Sequence, residues 1–241
     1  MIQNHLSQEA FTTSAVRIPR TVELILRYVR PEQRLRVLDL GCAGGDQLFA
    51  VAEALPGAQL TGLDISEPSI RRAREASHSR AFAERLVFHA GDYTSFRGGP
   101  FDLILADGVL HLIPVRTTQL FEKLRADLVP GGLLVYTMPT RCFYNRALAA
   151  ARRTLRALRH PAMDKLILLV ARAVHGRRYG LEALRERLPY MYVVPERYDG
   201  PELHALLGAS YGFDLLESAG LPHASVAQMV HRLAVFRKRG P

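Results

Sequence analysis

Cysteine is scarce in this sequence: Cys42 and Cys142 are the only two in 241 residues. Two thiols make no disulfide framework, so a reducing, cytoplasmic setting is expected. Long apolar runs are missing too. The longest unbroken aliphatic stretch, Leu166 to Ala171, falls far short of the roughly 20 residues that a membrane span requires. Residues 1–14 hold no basic region followed by an apolar core, so no secretory signal is expected there. No repeat of fixed period is visible, and nothing is low-complexity beyond one arginine-rich stretch. With 48% apolar and 23% charged residues, the composition excludes wholesale disorder. It suits one domain, or one domain with a large insertion.

The first half has no net charge. Residues 1–140 hold 15 basic and 15 acidic side chains, whereas residues 141–241 hold 17 and 8 and so carry the whole +9. Residues 141–178 alone contain ten basic residues against one acid, Asp164. A neutral part joined to a basic part suggests two jobs.

The neutral part alternates strands and helices. Val22, Ile25, Leu26 and Val29 fall on one helical face, predicting a helix over 18–30. Short aliphatic runs at 36–40, 60–63, 86–90, 101–106 and 133–138 read as buried strands. Helices are predicted between them at 46–55, after Ser66, and at about 115–128. Ser66 fits the N-cap, with Pro68 in the first turn. Pro130-Gly131-Gly132 reads as the turn into the fifth strand. This order predicts an α/β fold, a doubly wound, mostly parallel, Rossmann-like sheet of seven strands. Such sheets bind ligands at the carboxyl ends of their strands. That singles out Asp39, Asp64, Asp92, Asp107 and His111.

The turn after the first strand reads Asp39-Leu40-Gly41-Cys42-Ala43-Gly44-Gly45. Glycine lets a ligand approach the backbone, and the next helix points free N–H groups at the turn. Asp64 follows Gly41 by 23 residues and closes the second strand, where a carboxylate accepts from both hydroxyls of a ribose. The spacing is G-x-x-G-G rather than the G-x-G-x-x-G of dinucleotide folds. An acid two residues before the first glycine disfavours a pyrophosphate and favours a nucleoside that carries positive charge.

With these residues in view, the chain resembles the class I S-adenosylmethionine-dependent methyltransferases, of small-molecule type. V-L-D-L-G-C-A-G-G at 37–45, L-T-G-L-D-I-S at 60–66, H-A-G-D-Y at 89–93 and F-D-L-I-L-A-D-G-V-L-H-L-I-P at 101–114 are similar to its first four motifs. L-V-P-G-G-L-L-V-Y at 128–136 is similar to its glycine turn and fifth strand. The resemblance covers about residues 20–138, with a weaker tail at 200–238. It implies that the backbone at Gly41, Ala43 and Gly45 cradles the methionine part of S-adenosylmethionine, with Asp39 near its amino group. It implies that Asp64 binds the ribose, Ile65 flanks the adenine, Asp92 accepts from the adenine amine and Tyr93 lies beside the ring. The backbone around Ala106 and Asp107 would line the sulfonium, and the spent product would be S-adenosylhomocysteine. Ala43 departs from the family, which most often has glycine there.

Methyl transfer from a sulfonium is an in-line displacement whose electrophile the cofactor has already activated. A base helps only where the acceptor must lose a proton. His111 is the first candidate for that base and Asp107 the second. The residues leave open whether His111 takes a proton or only positions substrate. Nucleobase amine methylators of the family carry Asn-Pro-Pro-Tyr where this chain has Ala-Asp-Gly-Val, which disfavours DNA as a partner. No metal site is expected.

After Met138 the alternation breaks. A basic amphipathic helix is expected at 146–159 and a second helix at 163–175. The second is apolar nearly all round and therefore expected to be buried. In the family this region often forms the lid over the acceptor, which makes Tyr144, Tyr190, Tyr192, Arg197 and Tyr198 substrate-contact candidates. A helix at 201–210 and two closing antiparallel strands at 213–219 and 231–237 complete the sheet. The expected organisation is an N-terminal helical segment 1–35, a cofactor-binding core 36–139, a basic helical cap 140–200 and closing elements of the core 201–241.

The expected activity is methylation of an oxygen or nitrogen of a small-molecule acceptor. A lipid-like or RNA acceptor reached through the basic 141–178 segment stays open, as does a non-catalytic cofactor-binding regulator. Oligomeric state does not follow from the sequence.

Overall fold

The computed structural model describes residues 17–176, 180–221 and 228–240. Arg177 and Arg178, and the segment 1–14 read for a signal, lie outside the described residues, as does the side chain of Tyr190.

Seven strands form one sheet in the order β3-β2-β1-β4-β5-β7-β6. They are β1 (Arg36–Leu40), β2 (Gln59–Asp64), β3 (Leu86–Ala90), β4 (Phe101–Asp107), β5 (Leu128–Pro139), β6 (Phe213–Gly220) and β7 (His231–Lys238). The first five run parallel. β7 enters antiparallel between β5 and β6. β1 runs to β2 and β3 on one side, and the chain then crosses to β4 and β5 on the other. The crevice between the ends of β1 and β4 is therefore the switch point where such sheets take ligands.

Two apolar cores sandwich the sheet. One side packs α1 (Arg17–Leu26), α2 (Asp46–Ala54) and α3 (Glu67–Ser77) around Val37, Leu48, Phe49, Leu60 and Ile70. The other packs α4 (Thr117–Ala126) and α8 (Pro201–Tyr211) around Ile104, Phe121, Leu134, Tyr136 and Phe236. Ser66 caps α3 as its sequence predicts: its Oγ accepts from Ser69 N at 3.3 Å. The fifth strand differs from its prediction. It begins at Leu128, before the Pro-Gly-Gly, because Phe101 already pairs with Leu128 and the register then slips before Leu103. The glycines thus lie within an irregular strand rather than in a turn ahead of it.

The segment between β5 and α8 holds α5 (Phe143–Ala157), α6 (Pro161–His175) and α7 (Leu181–Arg187), then a 3-10 turn at Leu188–Tyr192. α7 has no counterpart in the sequence reading; Leu184 is its buried anchor. α6 departs from the prediction of burial. Only one of its faces is covered, by α7 and the 188–192 turn, and the other is open.

The cap is tied to the sheet by buried polar side chains that the sequence did not single out. Asn145 is fully buried; its Nδ2 donates to the carbonyls of Thr140 and Val230, and its Oδ1 accepts from Val230 N. Asp199, equally buried, accepts from Tyr136 Oη at 2.8 Å and meets His204 Nε2 at 2.7 Å and Arg232 Nε at 3.7 Å. Unpaired polar groups are costly away from water, so these bonds fix where the cap leaves β5 and re-enters the core.

Candidate active site

Four strand ends meet at the switch point. The turn after β1 needs left-handed backbone at Gly41 (φ 76°) and Gly45 (φ 91°). Ala43 shares that conformation at φ 47°. A non-glycine residue there carries about 1–2 kcal/mol of strain. It is held by the bond from its N–H to Asp64 Oδ2 at 3.0 Å. The other oxygen of Asp64 accepts from Ser66 N at 2.8 Å. Each carboxylate oxygen keeps a further lone pair for a ligand hydroxyl. A Cβ on Gly44 would meet nothing within 4 Å, so the backbone there is open to a ligand. Gly44 was quoted within the motif but not singled out as a binding residue.

Asp39 is almost fully enclosed, and its Oδ2 has no hydrogen-bond partner among the described residues. Burial, then the charges of Asp107 and Asp64, push its carboxyl up to about 8. Burial also raises Asp64, opposed by the Ser66 and Ala43 amides. Asp64 and Asp107 act on that orphaned buried carboxyl, and of the two only Asp107 is paired to a cation, Arg17, among the described residues, so the site is short of one positive group. A sulfonium nucleoside with a free ammonium and a ribose fits that shortage, so the donor set suits S-adenosylmethionine.

The acceptor side begins at the end of β4. Asp107 accepts from the Thr137 hydroxyl and pairs with Arg17 Nη1 at 3.4 Å. His111 lies on a 3-10 turn, Leu110–Leu112, and is buried. Its ring meets His231 edge-on at 5.8 Å, and its Nδ1 has no hydrogen-bond partner among the described residues. Burial, then His231, Arg197, Arg152 and Arg17, lower its pKa well below the usual histidine value. Burial likewise lowers His231. Both imidazoles are therefore neutral at neutral pH. Arg17, Arg152 and His231 carried no motif signal; only the fold brings them near His111, as it brings Thr137 to Asp107.

Several expected contacts take other forms. Tyr93 is buried in the α4-side core. Its ring lies under Lys123 Nζ at 4.6 Å, and burial followed by the Asp127 carboxylate raises its hydroxyl pKa. Asp92 is exposed, and its Oδ1 accepts from Thr94 N at 2.8 Å, an Asx turn. Ile65 is exposed beside Asp64, open to contact. Ala106 is core, with its backbone in the β4–β5 ladder opposite Tyr136. Tyr192 donates to Asp164 under the Arg159 guanidinium, so it braces α6 rather than lining a cleft. Burial is the main cause that raises its hydroxyl to about 12.

Arg197 is a strut. Its guanidinium donates to the carbonyls of Leu110, Ile113 and Val115, which spends its fork on the turn that carries His111. The adjacent Glu196 N–H donates to His111 O at 2.9 Å. Tyr144 and Tyr198 both lie near enough to Arg152 to favour its charged form, against the burial that lowers it. These three group together in the cap.

Known proteins share this frame. The methyltransferase-domain family matches residues 31–167. The trans-aconitate 2-methyltransferase of Streptomyces avermitilis is 29% identical over 196 residues, 79% of this chain and 69% of its own. The enzyme of that name from Methylobacterium radiotolerans is 36% identical over 117 residues, 48% of this chain and 42% of its own. The chain thus spans under half of that relative's length. The structure of magnesium protoporphyrin IX methyltransferase from Synechocystis PCC 6803, with bound S-adenosylhomocysteine, superposes with a TM-score of 0.61 at 17% identity, over 92% of this chain and 82% of that one. At that identity the likeness is one of fold. With the family match covering more than half of the chain, and the five motifs standing in order around the switch point, the chain belongs to the methyltransferase-domain family, the class I S-adenosylmethionine-dependent methyltransferases.

Proposed function

We propose that the protein moves a methyl group from S-adenosylmethionine to an oxygen of a small carboxylate acceptor. The observation that carries this reading is the company of His111: Arg197, Arg152 and Arg17 all act on it with positive charge. Asp107, which also acts on His231, is paired to Arg17. A site with that balance favours an anion. A carboxylate oxygen is already a nucleophile and needs no proton removed, which suits imidazoles held neutral and weakly basic. The relatives quoted above are named for trans-aconitate, itself a carboxylate.

When bound, the cofactor supplies an activated methyl on a sulfonium. The residues of this chain then bind and orient. Asp39 would meet the ammonium with its orphaned oxygen, and Asp64 the ribose, across the backbone of Gly41, Ala43 and Gly45. Ile65 and Asp92 would border the adenine, and the Ala106–Asp107 backbone the reacting end. His111 Nδ1 and the charge of Arg152, with Tyr144 and Tyr198 beside it, would hold the acceptor carboxylate. Alignment of this kind can contribute several kcal/mol to barrier lowering, up to about 7–11 in well-oriented systems.

Methyl-labelled S-adenosylmethionine incubated with the purified protein and separate sets of small carboxylic acids, phenols and amines tests the reading. The expected product is a methyl ester, which releases labelled methanol in alkali. Label that stays alkali-stable on an amine or phenol would overturn the carboxylate assignment.

A further inference from the structure

The open face of α6 is the largest feature the methyltransferase reading leaves unused. Leu166, Leu169, Val170 and Val174 are 53, 65, 54 and 66% exposed. Their spacing places them on one continuous helical face, the pattern that ordinarily turns toward a core. Here the core side is taken by half-buried Met163, Ile167 and Ala171. Single exposed leucines need no explanation, but a contiguous aliphatic stripe does.

One border of the stripe is basic. At about 100° per residue, Lys165 and Arg172 fall side by side along one edge of it. Both are exposed. α5, which leads into α6, carries further exposed arginines, Arg153 and Arg156. The lone acid of the segment, Asp164, is engaged by the Tyr192 hydroxyl and by Arg159 at 3.9 Å. It therefore offsets Arg159 rather than Lys165 or Arg172.

We infer that α6 docks on an anionic lipid surface, with its aliphatic stripe seated among the acyl chains and the cations along its edge on the headgroups. The pairing of an aliphatic face with a basic border is what an interfacial helix requires. At 15 residues α6 is too short to span, and no helix among the described residues is long and apolar enough to cross a membrane. A second copy is a poorer occupant, because an isologous contact would bring two basic borders together. Single-stranded RNA is poorer still, because an aliphatic stripe offers its bases no stacking platform. The inference does not depend on the acceptor class.

Co-sedimentation of the full chain with phosphatidylcholine vesicles, with and without phosphatidylglycerol, tests it. Binding to the anionic vesicles is expected to be at least tenfold stronger and to weaken with added salt. A Leu169→Ser, Val170→Ser variant and a Lys165→Glu, Arg172→Glu variant are each expected to lose at least tenfold. Calorimetric binding of S-adenosylmethionine should stay unchanged in both, which reports an intact fold. Equal binding to both vesicle types, or full binding by the stripe variant, would overturn the inference. So would a solution dimer that the stripe variant dissociates, or binding to RNA with none to vesicles.

Discussion

Val109 Cγ2 stands 2.8 Å from where a Cβ on Gly41 would sit. The turn after β1 and the loop after β4 therefore touch across the switch point, and glycine is what lets them. Gly41→Ala meets that contact and a φ of 76° together. The strain of the left-handed backbone alone is about 1–2 kcal/mol. The expected outcome is a melting temperature several degrees lower and cofactor binding weakened at least tenfold by calorimetry. Unchanged binding would mean that this contact does not shape the turn.

Asp39 predicts a pH dependence of opposite sign to that of a paired carboxylate. Its folded pKa, about 8, lies above the ordinary 3.8. In that window the unfolded chain binds fewer protons than the folded one, so ligand-free stability falls as pH rises from about 4 to about 8. Asp39→Asn should flatten that fall and raise the ligand-free melting temperature at neutral pH, while sharply weakening S-adenosylmethionine binding. Calorimetry of the wild type near pH 7, in buffers of different ionisation enthalpy, should show proton release on binding. A melting temperature that rises across the window in the wild type would count against the buried acid.

For His111 the sign reverses. Its folded pKa lies below that of a free histidine, so its contribution to stability is present above about pH 6.5 and lost as pH falls below it. His111→Asn should flatten the acid side of the stability profile. His111→Ala should cut turnover at least tenfold and leave cofactor affinity nearly unchanged. The wild-type rate profile should show no limb near pH 6.5 from this residue. Normal turnover with weakened cofactor binding would refute the assignment.

Arg197 should act through the turn it spans. Removing its guanidinium takes a donor from the carbonyls of Leu110, Ile113 and Val115, of which Ile113 O keeps the Val115 N–H, at about 1–3 kcal/mol for each group left unsatisfied. Arg197→Ala is expected to lower the melting temperature and reduce kcat more than it raises KM, because the His111 turn loosens. Arg197→Lys should recover only part, since one ammonium cannot bridge three carbonyls. A variant that raised KM alone would instead make Arg197 a direct acceptor contact.

The order of the strands, Ser66 as a cap and the acids near the strand ends, Asp39, Asp64 and Asp107, were legible in the chain itself. Their signals are local: aliphatic runs bounded by glycine, a serine ahead of a helix, and an acid at a fixed interval from a turn. Residues 36–64 alone were enough to point to a positively charged nucleoside, because backbone chemistry there dictates which residue types fit. Tertiary contact decided the rest. Whether Tyr93 meets a ligand or the core, whether Arg197 holds substrate or three carbonyls, and whether α6 is covered all depend on neighbours far away in sequence. So does the charge around His111, which Arg17, Arg152, Arg197 and His231 bring from three separate segments. Such couplings act over a few ångströms in space and leave no periodicity along the chain.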